Sequence, residues 1–283
     1  MPGFVVNPLT NDDEGEVLDF LALRPTRAFG MTGLIKNNGL LSSLNRGRFY
    51  ACRDEQGNLH GVGLVGYNTL IEARTEEAIR VFADLASAYP NVFLVIGEEA
   101  RTRMFWRFYT ERARVDATLD RFILLQQTHP VNVVKPFTNL RRACLADLDL
   151  VVETHNQIGI EETGVNGLER DRVGFVNRCK TRIEREQTWV LTQRDKLIFK
   201  TDVLTHTPDV AYVESMWVDP AERNKGYGRT CLSQLTGHLL ETTASVCLLV
   251  KESNTSAQAL YKRAGFKAIG NYLAIFLSAR QER

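Results

Sequence analysis

The chain has 283 residues, 44% of them hydrophobic, and 35 basic side chains against 34 acidic ones. That length and apolar content can build one large core or two ordinary ones, which excludes a disordered chain. With the charges nearly balanced and neither sign in a long block, a general attraction to nucleic acid or to anionic lipid is excluded too, so any anion site has to be local.

The chain starts MPGFVVNPLTNDDEGE, with no basic segment leading into a long apolar one, and no run of about 18 apolar residues occurs along it. Neither secretion nor membrane insertion is expected. Apolar periodicity then predicts helices over 12–23 and 28–43, followed by a hairpin, RFYACRDEQGNLHGVGLVG, turning at Gln56-Gly57-Asn58. Gly61-Val-Gly63-Leu-Val-Gly66 satisfies the G-x-G-x-x-G pattern of dinucleotide sites. Its context is a hairpin rather than a strand turning into a helix, so close strand packing is the expected reason for these glycines. A strand at 68–73, a helix at 76–88, a strand NVFLVIG, a helix at 99–112 and a strand RFILLQ complete the first half.

Pro130 and Pro136 bracket an extended-looking stretch that reads as a connection between domains. Beyond it come helices at 145–156 and 167–186, strands WVLTQ, KLIFKTDV and AYVESMWV, and a helix at 229–242. Strand SVCLLVKE, a helix at 255–264 and strands KAIG and YLAIFL close the chain. Both halves show a similar order of elements, too different in letters to be called a repeat from sequence. The expected architecture is therefore α+β, in two modules each with a mixed, mostly antiparallel sheet flanked by helices: 1–130, a linker 131–138, and 139–283. The five cysteines, Cys52, Cys144, Cys179, Cys231 and Cys247, are odd in number, far apart and without CxxC spacing. They predict neither a disulfide framework nor a structural zinc site, and a reducing cytoplasm is the expected location. There is no P-loop, HExxH or nucleophile elbow, and no metal is expected.

The most informative stretch is Val218–Leu235, VDPAERNKGYGRTCLSQL. Before it runs the strand-like Tyr212-Val-Glu-Ser-Met-Trp-Val218, ended by Asp219-Pro220 because proline offers no N–H. After it, Cys231, Leu232, Leu235, Leu239 and Leu240 recur at helical spacing. A strand, a glycine-bearing loop and a helix start point free N–H groups and the positive end of the helix dipole at one spot, which suits a pyrophosphate. Gly226 and Gly228 would admit close backbone approach, while Arg223, Lys225 and Arg229 add charge.

Arg223-x-x-Gly226-x-Gly228 is similar to the acetyl-CoA signature R/Q-x-x-G-x-G/A of the GNAT superfamily of N-acetyltransferases. Downstream, Val246–Phe266 resembles the second signature of that family: a strand, Asn254, a helix with Ala259 and Tyr261, then Gly265-Phe266. The resemblance covers about 137–283. It implies a GNAT module there, with acetyl-CoA as co-substrate, bound through Arg223, Asn224, Lys225, Gly226, Tyr227, Gly228, Arg229 and Asn254; the order of elements in the first half, with FWRFYTERA, resembles two-module members of the superfamily with one active half, which implies a second GNAT-like module. It also implies a pantetheine arm lying between splayed strands AYVESMWV and SVCLLVKE, with N–H groups of Met216, Trp217 and Val218 near the thioester carbonyl.

Acetyl transfer needs a neutral amine, whose ammonium form has a pKa of about 10, so a general base helps remove its proton, directly or through water. Glu214 is the candidate, and simple alternation places it with Tyr212, Met216 and Val218. Tyr261 occupies the position of the family's general acid toward the departing thiolate. The segment Gln157–Gly167 reads as the loop between two helices that borders the acceptor in the family, and Glu161 and Glu162 in it would attract a cationic amine. In the first half, Leu70–Ala78 stands in the phosphate loop's place without a glycine and with carboxylates at the helix start. That module is expected to be a degenerate GNAT-like one that holds no CoA, leaving one active site per chain.

The resulting expectation is a cytoplasmic N-acetyltransferase acting on a primary amine of a small molecule or peptide, with a homodimer as an open option. The alternative is a non-catalytic acyl-CoA-binding regulatory module.

Overall fold

The computed structural model describes residues 3–113, 115–133 and 135–278; residue 134 of the expected linker and the ends of both expected domains lie outside them. The first half of the chain runs β1 (Val5–Pro8), a 3-10 turn, α1 (Glu14–Ala22), α2 (Pro25–Asn38), β2 (Gly47–Arg53), β3 (Leu59–Gly66) and β4 (Asn68–Ala73). It continues with α3 (Glu76–Ser87), β5 (Leu94–Glu98), α4 (Glu99–Arg112) and β6 (Ala117–Gln127). The second half repeats that order: β7 (Leu140–Arg142), a 3-10 turn, α5 (Leu148–Thr163), α6 (Gly167–Glu184), β8 (Thr188–Gln193), β9 (Lys196–His206) and β10 (Ala211–Val218). Then follow α7 (Tyr227–Leu239), β11 (Val246–Lys251), α8 (Thr255–Arg263) and β12 (Lys267–Leu277).

Pairing repeats along with the order. β1 to β4 are antiparallel neighbours and β4 runs parallel to β5, just as β7 to β10 are antiparallel and β10 runs parallel to β11. The expected mixed, mostly antiparallel sheets with flanking helices are thus present, twice. Expected strands KAIG and YLAIFL are one strand, β12, because Gly270-Asn271 continues the extended backbone; the short β1 and β7 carry too few residues for a periodicity to register.

Contacts divide the chain into two compact units: 1–125 with 249–254 and 268–283, and 126–248 with 255–267. The expected boundary, with everything from 139 onward in one domain, differs from this division at the C-terminus. β12 pairs antiparallel with β5, from Tyr272 opposite Glu98 to Phe276 opposite Leu94, and Leu273, Ile275 and Leu277 join the core of α3 and α4. Alternation marks 272–277 as a strand, but which edge it joins is decided by tertiary packing.

In the first unit, alternation along β2 sends Phe49 and Ala51 to the core under α1 and α2 and Tyr50 and Cys52 to the core under α3 and α4. Gly61 and Gly63 of β3 lie against Phe82 of α3, where an added Cβ would come within 2.8 Å of the ring. Close packing, as expected, accounts for those glycines. In the second unit, α5 and α6 cover one face of β8–β10 and α7 covers the other. The expected linker is fastened within this unit: the Phe137 N–H donates to Gln234 Oε1 at 2.9 Å and its carbonyl accepts from Nε2 at 3.0 Å. Its ring also stacks on Tyr227 at 5.1 Å. All five cysteines are free thiols. Among the described residues no helix is long and apolar enough to cross a membrane, and no cluster of side chains could hold a metal ion.

Candidate active site

β10 carries the site and is irregular. It pairs with β9 from Val213 opposite Val203 to Glu214 opposite Asp202, then resumes at Trp217 opposite Lys200, so one extra residue sits in a bulge. Ser215, at φ 52°, occupies it. A one-residue bulge inverts the alternation beyond it. Glu214 therefore shares the α5/α6 face with Trp217, while Met216 and Val218 pack on the α7 face. The expected grouping of Glu214 with Met216 and Val218 is corrected by this bulge, which side-chain periodicity does not reveal.

On its other side β10 pairs with β11 only at Ala211–Val246 and Tyr212–Cys247. Past Tyr212, β10 has no partner on that side among the described residues. The Asp219 N–H donates to Ile198 of β9 at 3.0 Å, and antiparallel alternation then turns the N–H of Trp217 toward β9 and that of Val218 toward the open side. Of the two, only Val218 can offer its N–H to a ligand there.

The helix α7 starts two residues earlier than its apolar spacing predicts, so Tyr227 and Gly228 belong to its first turn. Asn224 (φ 63°) and Gly226 (φ 90°) both lie in the left-handed region, which curls the loop back on the helix start. Gly226 is the N-cap and supplies no side-chain acceptor. The first N–H to bond back is that of Thr230, to the Gly226 carbonyl at 3.0 Å; those of Tyr227, Gly228 and Arg229 precede it and are left for a ligand. Arg223 is steered by its Nε donating to the Val218 carbonyl at 3.2 Å. Lys225 pairs with Glu222 at 3.0 Å. Gly228 has a different reason from the one expected: a Cβ there would meet Leu260 Cδ1 at 2.9 Å and Val218 Cγ2 at 3.1 Å, so it lets α7 pack closely on α8 and β10.

Tyr261 lies on α8, buried, its ring edge-on to Phe266. Its hydroxyl makes no hydrogen bond among the described residues, and burial, with the nearby Glu162 carboxylate, pushes its pKa up. It is thus protonated at neutral pH. Glu161 and Glu162 are helical, because α5 extends to Thr163 instead of ending near 156. Glu161 accepts from Gln157 at 2.9 Å and faces Arg223 of the loop at 3.7 Å, an exposed pair of little energetic weight. Asn254 precedes α8, its N–H donating to the Lys251 carbonyl at 2.9 Å; it is grouped with the first unit.

Residues 169–266 match the model of the acetyltransferase (GNAT) family. This segment is a GNAT acetyltransferase domain. A protein of Mycobacterium leprae (strain TN), described as uncharacterized, is 43% identical over 70 residues, which are 24% of this chain and 18% of that protein. Among solved structures, a GNAT-family acetyltransferase of Colwellia psychrerythraea superposes with a TM-score of 0.57 at 14% identity, covering 96% of this chain and 99% of its own. A Drosophila protein gives 0.68 at 12%, covering 99% and 100%. A tandem GNAT protein from the clavulanic acid biosynthesis pathway gives 0.60 at 12%, covering 99% and 100%. Such identities establish the fold, which is that of GNAT proteins over the whole chain.

Compared with the loop before α7, its counterpart in the first unit is closed chemically. β4 and β5 also pair at only two positions, but Thr75 caps α3, its Oγ1 accepting from the Ala78 N–H at 3.2 Å, and Glu76 and Glu77 fill the first turn. Arg101 of α4 reaches Glu72 and Glu98, each at 3.3 Å, and Arg24 reaches the same two carboxylates at 2.8 Å. A capped, acidic helix start repels a phosphate where α7 invites one.

Sequence reasoning missed the groups around Glu214. On the α5/α6 face of the second unit, Lys200 and Asp202 are only 1% exposed and pair at 2.6 Å. Arg182 donates to the same Asp202 oxygen at 2.7 Å, and Thr188 Oγ1 donates to the other at 2.8 Å. Lys200 Nζ lies 3.2 Å from His155 Nδ1; an ammonium only donates, so that nitrogen accepts and the imidazole is neutral. Burial, then Lys200 and Arg182, push His155 down to about 3. Asp202 is held far below the ordinary carboxylate range by Lys200 and Arg182 despite its burial. Lysine and aspartate two apart within an apolar strand, Lys200-Thr-Asp202, was the available signal, since a strand puts both on one face.

Proposed function

We propose that this chain transfers an acetyl group from acetyl-CoA to a primary amine of a small molecule or peptide. The observation that carries this reading is the uncapped start of α7, with Gly226 in the left-handed region, placed beside the free edge of β10. The residues fit the co-substrate: N–H groups of Tyr227, Gly228 and Arg229 would take the pyrophosphate, with Arg223 and Lys225 adjacent. The exposed edge of β10 offers backbone groups to an extended pantetheine, as an added strand would.

Bound acetyl-CoA supplies a thioester carbonyl and a thiol leaving group. The Val218 N–H stands ready to stabilise charge on that carbonyl oxygen. Glu214 takes a proton from the ammonium, directly or through water, which frees the nitrogen lone pair to attack the carbonyl carbon. As the C–S bond breaks, Tyr261 gives its proton to the sulfur; the nitrogen then loses its second proton to the Tyr261 phenolate, leaving a neutral amide and a free thiol, and Glu214 releases its proton to solvent. Burial raises the Glu214 pKa, which makes it a better base than an exposed glutamate.

A reducing cytoplasm, with all five thiols free, and an amine acceptor bound on the α5/α6 side of β10 complete the proposal. The first unit then acts as a degenerate module without CoA. A screen of amines, amino acids and peptides for acetyl-CoA-dependent thiol release tests it: release that requires both acetyl-CoA and an amine supports transfer, and none across the panel despite acetyl-CoA binding would oppose it.

A further inference from the structure

The buried cluster on β9, α5 and α6 is far more elaborate than a fold of this size needs for stability. Fully buried ion pairs contribute little net stability because desolvation offsets their attraction. Asp202 receives Arg182, Lys200 and Thr188 at 2.6–2.8 Å, which fixes the guanidinium on one side. Its other arm, Arg182 Nη2, reaches Glu214 Oε1 at 3.5 Å. Arg182 and Glu214 are 26% and 29% exposed, so this end of the cluster is mostly buried but reaches the surface, while the Lys200–Asp202 end is sealed.

We propose that Arg182 is a positioning residue for Glu214: anchored on Asp202, it holds the carboxylate on the α5/α6 face and favours its ionised form. The charges sum accordingly. Arg182 and Lys200 bring two positive charges and Asp202 one negative, so ionised Glu214 neutralises the cluster and protonated Glu214 leaves it positive. The groups acting on its carboxylate are Arg182 from α6, Lys200 and Asp202 from β9, and the Ser215 hydroxyl from β10 itself; His155 from α5 and Cys179 from α6 act on the same two cations and Asp202, and Arg178 acts on both of them. His155 is neutral and Cys179 is a buried thiol whose pKa burial raises. Arg178 is drawn off by Asp171 at 3.3 Å. Burial pushes Glu214 up and Asp202 adds to that, while Arg182 and Lys200 pull it down. Arg182 is the nearer of these two cations, and its geometry makes it the adjustable one.

This inference rests on the reading of Glu214 as the general base. Its test uses the full chain with Arg182→Gln and Arg182→Lys, read in two ways: the pH profile of acetyl-CoA-dependent thiol release, and titration of the Glu214 carboxyl carbon by NMR, assigned with Glu214→Gln. Loss of a cation this close raises a carboxylate pKa by about 1–3 units. Arg182→Gln is therefore expected to move both the acid limb of the profile and the NMR midpoint upward by about that much. Arg182→Lys should fall between, since it keeps the charge but lacks the planar fork whose two arms reach Asp202 and Glu214 separately. A folded Arg182→Gln protein with an unmoved Glu214 midpoint overturns the proposal. Where that variant fails to fold, an Arg182→Lys midpoint equal to that of the unaltered chain overturns it. Full turnover in Glu214→Gln would overturn the catalytic reading alone, with the midpoint still deciding whether Arg182 governs Glu214.

Discussion

A Cβ on Gly228 would stand 2.9 Å from Leu260 Cδ1, whereas one on Gly226 would meet nothing within 4 Å. Two glycines of one motif thus serve different ends, packing and backbone conformation. Gly228→Ala is expected to lower stability by about 1 kcal/mol, the mild end of overpacking, since a leucine tip can yield. Gly226→Ala should cost a similar amount through its positive φ, and in addition should weaken acetyl-CoA binding through a distorted loop. Denaturant unfolding and calorimetric titration separate the two effects. Equal loss of binding in both variants would contradict the distinction.

Glu214→Gln preserves size and removes the proton acceptor. Turnover at neutral pH should fall by roughly 10²–10⁴-fold, with acetyl-CoA affinity nearly unchanged. In the unaltered chain kcat/KM should fall as pH drops through the Glu214 pKa, which burial places above the ordinary 4.5; steady-state rates from pH 5 to 8 read this limb. A variant as fast as the parent would move the base elsewhere.

His155 links the cluster to stability. Its folded-state pKa is depressed, to about 3 from 6.5, so the unfolded chain binds the proton first as pH falls, and stability is lost progressively below about pH 6.5. The slope from this group is about 1.4 kcal/mol per pH unit. Urea midpoints at pH 7 and pH 5 should therefore differ, and His155→Gln should remove most of that difference. A difference that survives the substitution would place the titrating group elsewhere.

Legibility in the sequence followed the range of the interactions involved. β4, β10 and α4 were bounded correctly because alternation, helical spacing and turn residues are local. The glycine-bearing loop before α7 is readable for the same reason: Arg223, Gly226 and Gly228 lie within one turn of the chain. What escaped was set by contacts between distant segments. The bulge at Ser215 reversed the face of Met216 and Val218 through pairing with β9; the partner of β12 depended on β5; and the cluster joining His155, Arg182, Lys200, Asp202 and Glu214 draws on four elements. No periodicity records such a meeting.

Thr75 tests the asymmetry between the units. Thr75→Ala removes the cap of α3 and should destabilise the chain by about 1 kcal/mol while leaving acetyl-CoA affinity unchanged, because Glu76 and Glu77 still oppose an anion there. Chemical denaturation with parallel titration reads both quantities. Altered affinity would show that the first unit takes part in CoA binding.

Calorimetric titration of the full chain with acetyl-CoA, before and after Gly226→Val, tests the central claim most directly. The account predicts one site per chain in the parent and no measurable binding in a variant that remains folded by circular dichroism. Two sites per chain, or undiminished binding in the variant, would contradict it.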